Sequence, residues 1–446
     1  MKTYPDGVVQ SALRLAALAF SLSAFQTATA ASWVTNSPLI KGRLGHTATL
    51  LTNGQVLVVG GSTSAGETAS VELFDPTTGA WTDISGMRDA RLAPTATLLP
   101  NGKVLVTGGM GTTGVLDSTE LYNPSTGIWE TNNAMNVRRQ SHTATLLLDG
   151  KVLVTGGLDD VLPSATTLAN AEIYNPVTAT WMITGSLTNA RWGHTATLLA
   201  NGQVLVAGGV QTDGLSSSAE LFDPNFGKWT PTGAMTAARR LHTATLLPSG
   251  KLLVAGGAGE ANNIPAAELY NPSTGIWTTT GTLSFPRQSH TATLMANGEV
   301  LVVGGAGNSG WLFSTELYNP TAGTWTNTGI LNTARGYHTA TLLRSGKVLV
   351  AGGFGNGGRI SSTELYVEAL PFHLVNPTAM PSGAFQFGFT NTPGMSFGAL
   401  ATTNLSQPLS NWTALGGVTE ISPGQFQFTD QQATNNPQRF YRVRAQ

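Results

Sequence analysis

The feature that most restricts the fold of this chain is a segment that recurs seven times at a nearly constant interval. It begins as Gly45–Leu50 (GHTATL), and one marker residue per copy defines its register. The markers are, in order, His46, Pro94, His142, His194, His242, His290 and His338, and only the step from His142 to His194 is longer than the others. Repeats of roughly 20–50 residues are supersecondary units that bury their apolar faces only against neighbouring copies. The chain is therefore predicted to be a repeat protein.

Every repeat opens with two strands joined at a glycine. The first strand follows the marker, and a pair such as Asn53-Gly54 or Asp149-Gly150 comes after it. Asn-Gly and Asp-Gly favour the two positive φ angles of a type I′ turn, which predicts a tight hairpin. The second strand is an apolar run that ends in Gly-Gly, as in Val56–Gly61. Because polar residues do not alternate along it, both faces of this strand are expected to be buried.

Two further strands complete each repeat. The third contains Glu-Leu-Phe or Glu-Leu-Tyr in most copies and ends in Asp-Pro or Asn-Pro, with a glycine soon after, as in Asp75–Gly79. Asp or Asn followed by Pro and a later Gly is typical of a short hairpin turn. A Trp then opens the fourth strand at a fixed distance before the next marker, as Trp81 does before Pro94.

The two ends of the repeat region complete each other. Trp33 lies at that same distance before His46 with no earlier repeat to belong to, and no such Trp follows Tyr366 in the seventh repeat. The N-terminal strand is therefore predicted to supply the fourth strand of the last blade. Such a closed ring leaves only short, protected strand edges.

Four recurring features carry a family resemblance: an Arg before the first strand, Gly-Gly ending the second, Glu-x-Tyr in the third and Trp in the fourth. Over Trp33–Val367 the sequence resembles kelch repeats, and it is similar to bacterial exported kelch proteins and to the propeller of galactose oxidase. The resemblance implies a disc with the first strand of each blade nearest the axis. We predict an all-β chain: a seven-bladed kelch-type β-propeller of four-stranded blades, plus a small C-terminal β-sandwich.

The chain is predicted to have three segments. Residues 1–30 have the features of a cleaved signal peptide, with Lys2 and Arg14, the apolar run Leu15–Phe25 and Ala28-Thr29-Ala30 before the cleavage point. The apolar run is shorter than the roughly 20 residues that span a bilayer. We expect a bacterial protein that is exported to the periplasm, the cell surface or the medium. After the signal peptide is cleaved, we expect no stable insertion in a membrane. The propeller is predicted over residues 31–370 and the C-terminal β module over residues 371–446.

Composition narrows the functional classes. Twenty-three Lys and Arg balance 24 Asp and Glu, so no strong net field attracts nucleic acid, and nucleic acid is not an expected partner. The absence of cysteine excludes disulfides, thiolate metal sites and cysteine nucleophiles. The resemblance to galactose oxidase implies a copper site with a Tyr cross-linked to a Cys, which a chain without cysteine does not form. We expect no enzymatic activity, no metal and no cofactor.

Charged and imidazole side chains recur with the repeat. Six of the seven markers are His. We expect each imidazole to form a hydrogen bond that ties its blade to the next, and the alternative is that the imidazoles around the axis bind a metal ion. One Arg stands three positions before each marker and one Glu lies in each third strand, and we expect them to pair because a charge that leaves water needs a partner. These residues are Arg43, Arg91, Arg139, Arg191, Arg239, Arg287 and Arg335, with Glu72, Glu120, Glu172, Glu220, Glu268, Glu316 and Glu364.

Binding residues are sought where the repeats differ, because loops carry specificity while repeated strands build the scaffold. The residues that depart from the repeat on the loops of the sixth and seventh units are Trp311, Tyr337, Phe354 and Arg359. We expect them on one face at adjacent blades, where exposed aromatic rings and an Arg suit a sugar or a peptide. The longer loop of the third unit adds Asp159 and Asp160 as cation or amine contacts. The alternative is that all these residues only pack their loops.

The sequence therefore favours a monomeric binding protein that recognises a protein or a glycan through one propeller face. A structural spacer at the cell surface is the first alternative. An enzyme that uses a galactose-oxidase-like propeller without the cysteine-tyrosine copper site is the second.

Overall fold

The computed structural model describes residues 31–161, 163–367, 374–380, 384–390, 397–403, 411–422, 425–433 and 440–445. One compact unit spans Ala30–Glu368, and a second contains Ala369–Gln446. The predicted signal peptide over residues 1–30 lies outside the described residues. No helix of the described chain has the length and hydropathy that crossing a membrane requires.

The first unit consists of seven four-stranded antiparallel sheets, each of which is one blade. Within the described residues the strands of blades 1 to 7 are, in order from the first strand to the fourth, Thr47–Leu50, Val56–Val59, Val71–Asp75 and Ala80–Ile84; Thr95–Leu98, Val104–Thr107, Thr119–Asn123 and Ile128–Asn132; Thr143–Leu146, Val152–Thr155, Ala171–Asn175 and Thr180–Thr184; Thr195–Leu198, Val204–Ala207, Ala219–Asp223 and Lys228–Thr232; Thr243–Leu246, Leu252–Ala255, Ala267–Asn271 and Ile276–Thr279; Thr291–Leu294, Val300–Val303, Ser314–Asn319 and Thr324–Ile330; Thr339–Leu342, Val348–Ala351, Thr363–Val367 and Ser32–Asn36.

The blades form a closed ring. The first strand of each blade lies beside the first strands of its two neighbours, and the first strand of blade 7 lies beside that of blade 1. The N-terminal strand Ser32–Asn36 pairs antiparallel with Thr363–Val367, with Trp33 opposite Tyr366. The predicted closure of the last blade by the N-terminal strand is confirmed.

The core lies between adjacent blades and is built mainly from the second strands. Val56–Val59 is buried along its whole length, and so is the second strand of every other blade. This confirms the burial that the unbroken apolar runs predict. Each fourth-strand Trp packs on the aromatic residue opposite it in the third strand, as Trp181 does on Tyr174 at 5.0 Å between ring centroids.

The glycine turn between the first and second strands differs from the prediction. Gly54 has a φ of 90°, but Asn53 is not among the residues with positive φ, so the turn is not type I′. The Leu51 N–H donates to the Gln55 carbonyl at 2.8 Å and the Gly54 N–H to the Leu51 carbonyl at 2.9 Å. The loop is therefore longer than a type I′ hairpin turn and needs a single left-handed position, which glycine fills at low cost.

The two faces of the ring have different connections. On one face, here called the turn face, the glycine turns and the Asp-Pro or Asn-Pro turns reverse the chain. On the other, here called the ribbon face, the second strand connects to the third and the fourth strand connects to the next blade. Several blades form a short two-stranded ribbon there, for example Ala306–Gly307 with Gly310–Trp311 in blade 6 and Phe354–Gly355 with Gly358–Arg359 in blade 7.

The C-terminal unit contains two small antiparallel sheets. In pairing order, the first holds Leu374–Ala379, Phe385–Thr390, Gln425–Asp430 and Thr419–Ser422, and the second holds Thr413–Gly417, Phe397–Thr402 and Phe440–Ala445. Both sheets contribute to one phenylalanine-rich core, in which Phe397 lies 4.8 Å from Phe426 between ring centroids. Two sheets that share one core are consistent with the small β-sandwich that the sequence predicts.

Candidate functional site

The seven arginines that precede the markers are buried inside their own blades. Arg239 donates from Nη2 to Glu268 Oε1 at 2.7 Å and from Nη1 to the Gly256 and Ala266 carbonyls at 2.8 Å each. Burial lowers the pKa of Arg239, and the Glu268 carboxylate opposes that shift. Equivalent ion pairs join Arg43–Glu72, Arg91–Glu120, Arg139–Glu172, Arg191–Glu220, Arg287–Glu316 and Arg335–Glu364. Because the side chains of all seven Arg are fully buried, this set is not a surface for a ligand.

The marker histidines join neighbouring blades. His242 Nε2 lies 3.0 Å from Thr195 Oγ1 in the preceding blade, and the other five His make the same contact. This confirms the predicted hydrogen-bonded tie. Burial and the charge of Arg239 lower the pKa of His242 to about 3, so the imidazole is neutral near pH 7. Within the described residues, no group of three or more His, Asp or Glu side chains is arranged to hold a metal ion.

The residues just before the markers form a ring around the axis on the ribbon face, here called the collar. Its members are Gly45, Ala93, Ser141, Gly193, Leu241, Ser289 and Tyr337, all with positive φ. At six of the seven joints the backbone N–H of one member donates to the carbonyl of the member in the preceding blade, as Tyr337 does to Ser289 at 3.0 Å. Leu241 and Tyr337 both have a φ of 53°, which is uncommon for large side chains. The ring of hydrogen bonds offsets that backbone strain and fixes where the Tyr337 side chain begins.

Three of the predicted binding residues form one group, here called the aromatic cluster: Trp311, Tyr337 and Phe354. The Trp311 ring lies 6.1 Å from Tyr337 and 5.6 Å from Phe354, in edge-to-face geometry with both. Tyr337 is 42% exposed, and the other two are half-buried. Trp311 belongs to blade 6, whereas its two partners belong to blade 7. The structure therefore brings these residues together across a joint between blades.

The other predicted binding residues have local partners. Exposed Arg359 donates from Nε to the Ser62 carbonyl at 3.2 Å and from Nη2 to Ser62 Oγ at 3.0 Å, which joins blade 7 to blade 1. Asp159 accepts from the Thr166 N–H, and Asp160 lies 3.8 Å from Arg138 Nη2. Asp159 and Asp160 thus support the longer loop of blade 3, away from the aromatic cluster of blades 6 and 7.

A second circle of residues surrounds the collar and precedes the markers by two positions. This outer circle consists of Leu44, Leu92, Gln140, Trp192, Arg240, Gln288 and Gly336, each of which forms an antiparallel bridge to the first residue after its blade's Gly-Gly. Arg240 Cζ lies 5.2 Å from the ring centroid of Trp192. The prediction missed Arg240 and Gln288, although aligning the repeats at this position would have shown how the seven copies differ.

The repeat is recognised by comparison with known families. The family model described as the KLHDC2/KLHL20/DRC7 Kelch-repeats domain matches residues 18–209 and 193–367. The chain belongs to the kelch-repeat family. A search of curated proteins gives no match.

Solved structures share the kelch fold at low identity. One is described as a "novel fungal alcohol oxidase with catalytic diversity among the AA5 family, in complex with copper"; it is 17% identical, with a TM-score of 0.64, over 93% of this chain and 96% of that one. Another, the structure of YjhT, is 18% identical, with a TM-score of 0.52, over 66% of this chain and 99% of that one. At these identities the similarity establishes the fold and not the activity of this kelch protein.

The kelch propeller also has an apolar surface that the sequence prediction missed. A cleft of 480 Å³ between blades 3 and 4 is lined in part by Met182 and Ile183 of the fourth strand of blade 3 and by Phe226, which lies in the Asp-Pro turn of blade 4 on the turn face. These side chains are 63%, 61% and 81% exposed. The repeats have polar residues at most of the equivalent positions, for example Thr82, Asp83 and Thr78 in blade 1. This surface provides a comparison for any test of the ribbon face.

Proposed function

We propose that this kelch protein is exported and binds a protein or glycan partner through its ribbon face. The observation that carries the proposal is the aromatic cluster, which exists only because three positions depart from the repeat at one joint. Trp311 stands where blade 1 has Glu67, and Phe354 stands where blade 1 has Ser62. Large rings that remain partly exposed beside each other are typical of recognition surfaces.

The packing of Trp311 supports a rigid site. Gly336 lacks the side chain that the other six members of the outer circle have, and a Cβ there would lie 2.6 Å from Trp311 Cζ3. The indole therefore occupies space that a side chain fills in other blades. A ring held in this way loses little conformational entropy when a partner binds.

The partner is not expected to be nucleic acid, since 23 cationic and 24 anionic side chains leave no strong net field. We propose a monomer that acts in the periplasm, at the cell surface or in the medium. Kelch repeats commonly mediate protein interactions, which supports a binding role over that of a spacer.

Oxidase chemistry is the enzymatic alternative that the fungal neighbour suggests. The residues of this chain do not fit a copper site with a cysteine-tyrosine cross-link, because the sequence contains no cysteine. The marker His side chains do not fit it either, since each is buried and contacts a Thr of the neighbouring blade through Nε2. We therefore propose a binding protein and not an oxidase.

The proposal is tested on glycan and secreted-protein arrays with the purified chain from Ala31 onward. The Trp311→Ala, Phe354→Ala double variant is compared with Phe226→Ala, which removes an exposed ring from the turn face. The expected result is a partner that the double variant loses and that Phe226→Ala keeps, at similar thermal stability. A partner that only Phe226→Ala loses would place binding on the turn face, and the absence of any partner would favour the spacer.

A further inference from the structure

The outer circle changes character around the ring. In blades 1 and 2 its members are Leu44 and Leu92, and in blade 3 the Gln140 side chain is used within the protein, since its Nε2 donates to the Asp160 carbonyl at 2.8 Å. In blades 4 to 6 the members are Trp192, Arg240 and Gln288, and in blade 7 Trp311 covers Gly336. Four of the seven positions therefore form an arc that carries, in order, an indole, a guanidinium, a carboxamide and a second indole.

Arg240 is the cation of this arc, and it differs from the seven arginines that precede the markers. Those seven each pair with a buried Glu. Arg138 lies 3.8 Å from Asp160, and Arg359 donates to Ser62. Arg240 forms no ion pair with a carboxylate of the described residues, and its guanidinium lies 5.2 Å from the Trp192 ring centroid. It is half-buried and held against an aromatic ring, so it is a partly ordered positive charge that has no negative partner within the described chain.

The order of groups in the arc indicates the chemistry of a ligand. A planar guanidinium binds a carboxylate through two parallel hydrogen bonds, and such charge-assisted bonds are stronger than neutral ones. The Gln288 carboxamide donates to or accepts from hydroxyl groups. The Trp311 and Tyr337 rings offer surface to flat C–H faces. A chain of sugar residues that carry carboxylates presents all three partners at once.

We propose that the arc of Trp192, Arg240, Gln288 and Trp311 binds an acidic polysaccharide whose sugar residues carry carboxylates, such as a polyuronate. The inference rests on the proposed function, because it names the ligand of the same face. Charge complementarity at Arg240 calls for an anionic ligand, and the aromatic cluster, which follows Gln288 along the arc, calls for ring faces. An acidic peptide without aromatic residues supplies the carboxylates but not the ring faces, so the polysaccharide fits the whole arc.

The test is calorimetric titration of the purified chain with oligogalacturonate and with oligomannuronate of fixed length. Methyl-esterified oligogalacturonate of the same length keeps the sugar rings and removes the charge. Oligoglutamate supplies the charge without the rings. The variants are Arg240→Gln, the Trp311→Ala, Phe354→Ala double variant and, as a matched charge control, Lys251→Gln, which changes an exposed cation at a glycine turn of the turn face.

The expected result is binding of at least one oligouronate that weakens with salt and with esterification. Loss of one charge-assisted contact in Arg240→Gln should weaken binding about tenfold or more. The double variant should also weaken it, and Lys251→Gln should not. Thermal unfolding of Arg240→Gln, compared with that of the unmodified chain, confirms that the variant is folded.

The inference would be overturned if neither oligouronate binds, if the esterified oligomer binds with equal affinity, or if oligoglutamate binds with equal affinity. Unchanged affinity in folded Arg240→Gln would overturn it as well. If the arrays yield a partner that the aromatic double variant loses while both oligouronates fail to bind, the inference fails and the proposed function stands. If no array partner or oligouronate depends on the aromatic cluster, both fail.

Discussion

Gly336 leaves the space that Trp311 fills: a Cβ on Gly336 would lie 2.6 Å from Trp311 Cζ3 and 2.9 Å from Cε3. The two residues belong to neighbouring blades, and Gly336 is not among the glycines with positive φ. Its role is therefore space and not backbone conformation. The aromatic cluster depends on this pair, since any larger residue at position 336 would displace the indole.

Gly336→Ala is expected to lower the free energy of unfolding by about 1–3 kcal/mol, because it forces an extra methyl group into occupied space. The same change should weaken binding of any partner of the aromatic cluster. Chemical denaturation measures the first effect. The control is Gly336→Ala combined with Trp311→Ala, which should lose less stability than the sum of the single changes. Additive effects would show that the two residues do not share this space.

Pro94→His is expected to strengthen the joint between blades 1 and 2. Thr47 Oγ1 is buried without a hydrogen-bond partner, since Pro94 stands where every other blade has a marker His. An imidazole there should make the Thr contact seen at the other joints, a gain of about 1 kcal/mol. The measurement is a double-mutant cycle with Thr47→Val. Thr47→Val should destabilise the Pro94→His background more than the native one, and an equal effect in both backgrounds would refute the contact.

Glu268→Ala is expected to lower the free energy of unfolding by about 3–5 kcal/mol, because it leaves the buried Arg239 guanidinium without its charge partner. Glu130→Ala is the control, because Glu130 pairs with Lys103 at 2.7 Å but is 44% exposed. Its effect should stay below about 1 kcal/mol. Urea denaturation of the two variants compares them. Similar losses would mean that burial of the Arg–Glu pairs has no energetic consequence.

Stability is expected to fall in acid because of the marker histidines. The pKa values of His46, His194 and His242 are lowered to about 3, mainly by burial, from 6.5. As the pH falls below about 6.5, these imidazoles bind protons in the unfolded chain but stay neutral in the native state. The free energy of unfolding therefore decreases until about pH 3, where the native imidazoles also become protonated. Each such His contributes about 1.4 kcal/mol per pH unit within that window.

The measurement is the free energy of unfolding by urea between neutral pH and the acid end of that window. In His242→Asn the free energy of unfolding should depend less steeply on pH, because this variant takes up one proton fewer on unfolding in acid. A native protein whose stability does not change over this window would contradict the neutral, buried imidazoles.

The closed ring of blades was predictable because the sequence features that indicate it lie close together within each repeat. The spacing from Trp33 to His46, repeated before every later marker, requires a fourth strand at the N-terminus, and Ser32–Asn36 supplies it. The pairing of each Arg with a Glu followed from equal numbers and the need to neutralise buried charge. Those inferences need only the repeat and the physics of burial.

The site was less predictable because it depends on contacts between blades. Trp311, Tyr337 and Phe354 stand out as departures from the repeat, but the space at Gly336 appears only when blades 6 and 7 are in place. The type I′ turn predicted from Asn53-Gly54 was wrong, because the two residues lie in a longer loop in which Gly54 has positive φ and Asn53 does not. Arg240 was overlooked because its partner, Trp192, lies one full repeat earlier in the sequence.

We propose that the partner binds the ribbon face at blades 6 and 7. Hydrogen exchange of the chain, measured with and without a partner found on the arrays, locates the surface that the partner covers. New protection is expected at Ala306–Leu312 and Gly336–Gly355, with none at Phe226 on the turn face or at Met182 and Ile183 beside it. Protection confined to the cleft between blades 3 and 4, with unchanged exchange around Trp311, would contradict this proposal.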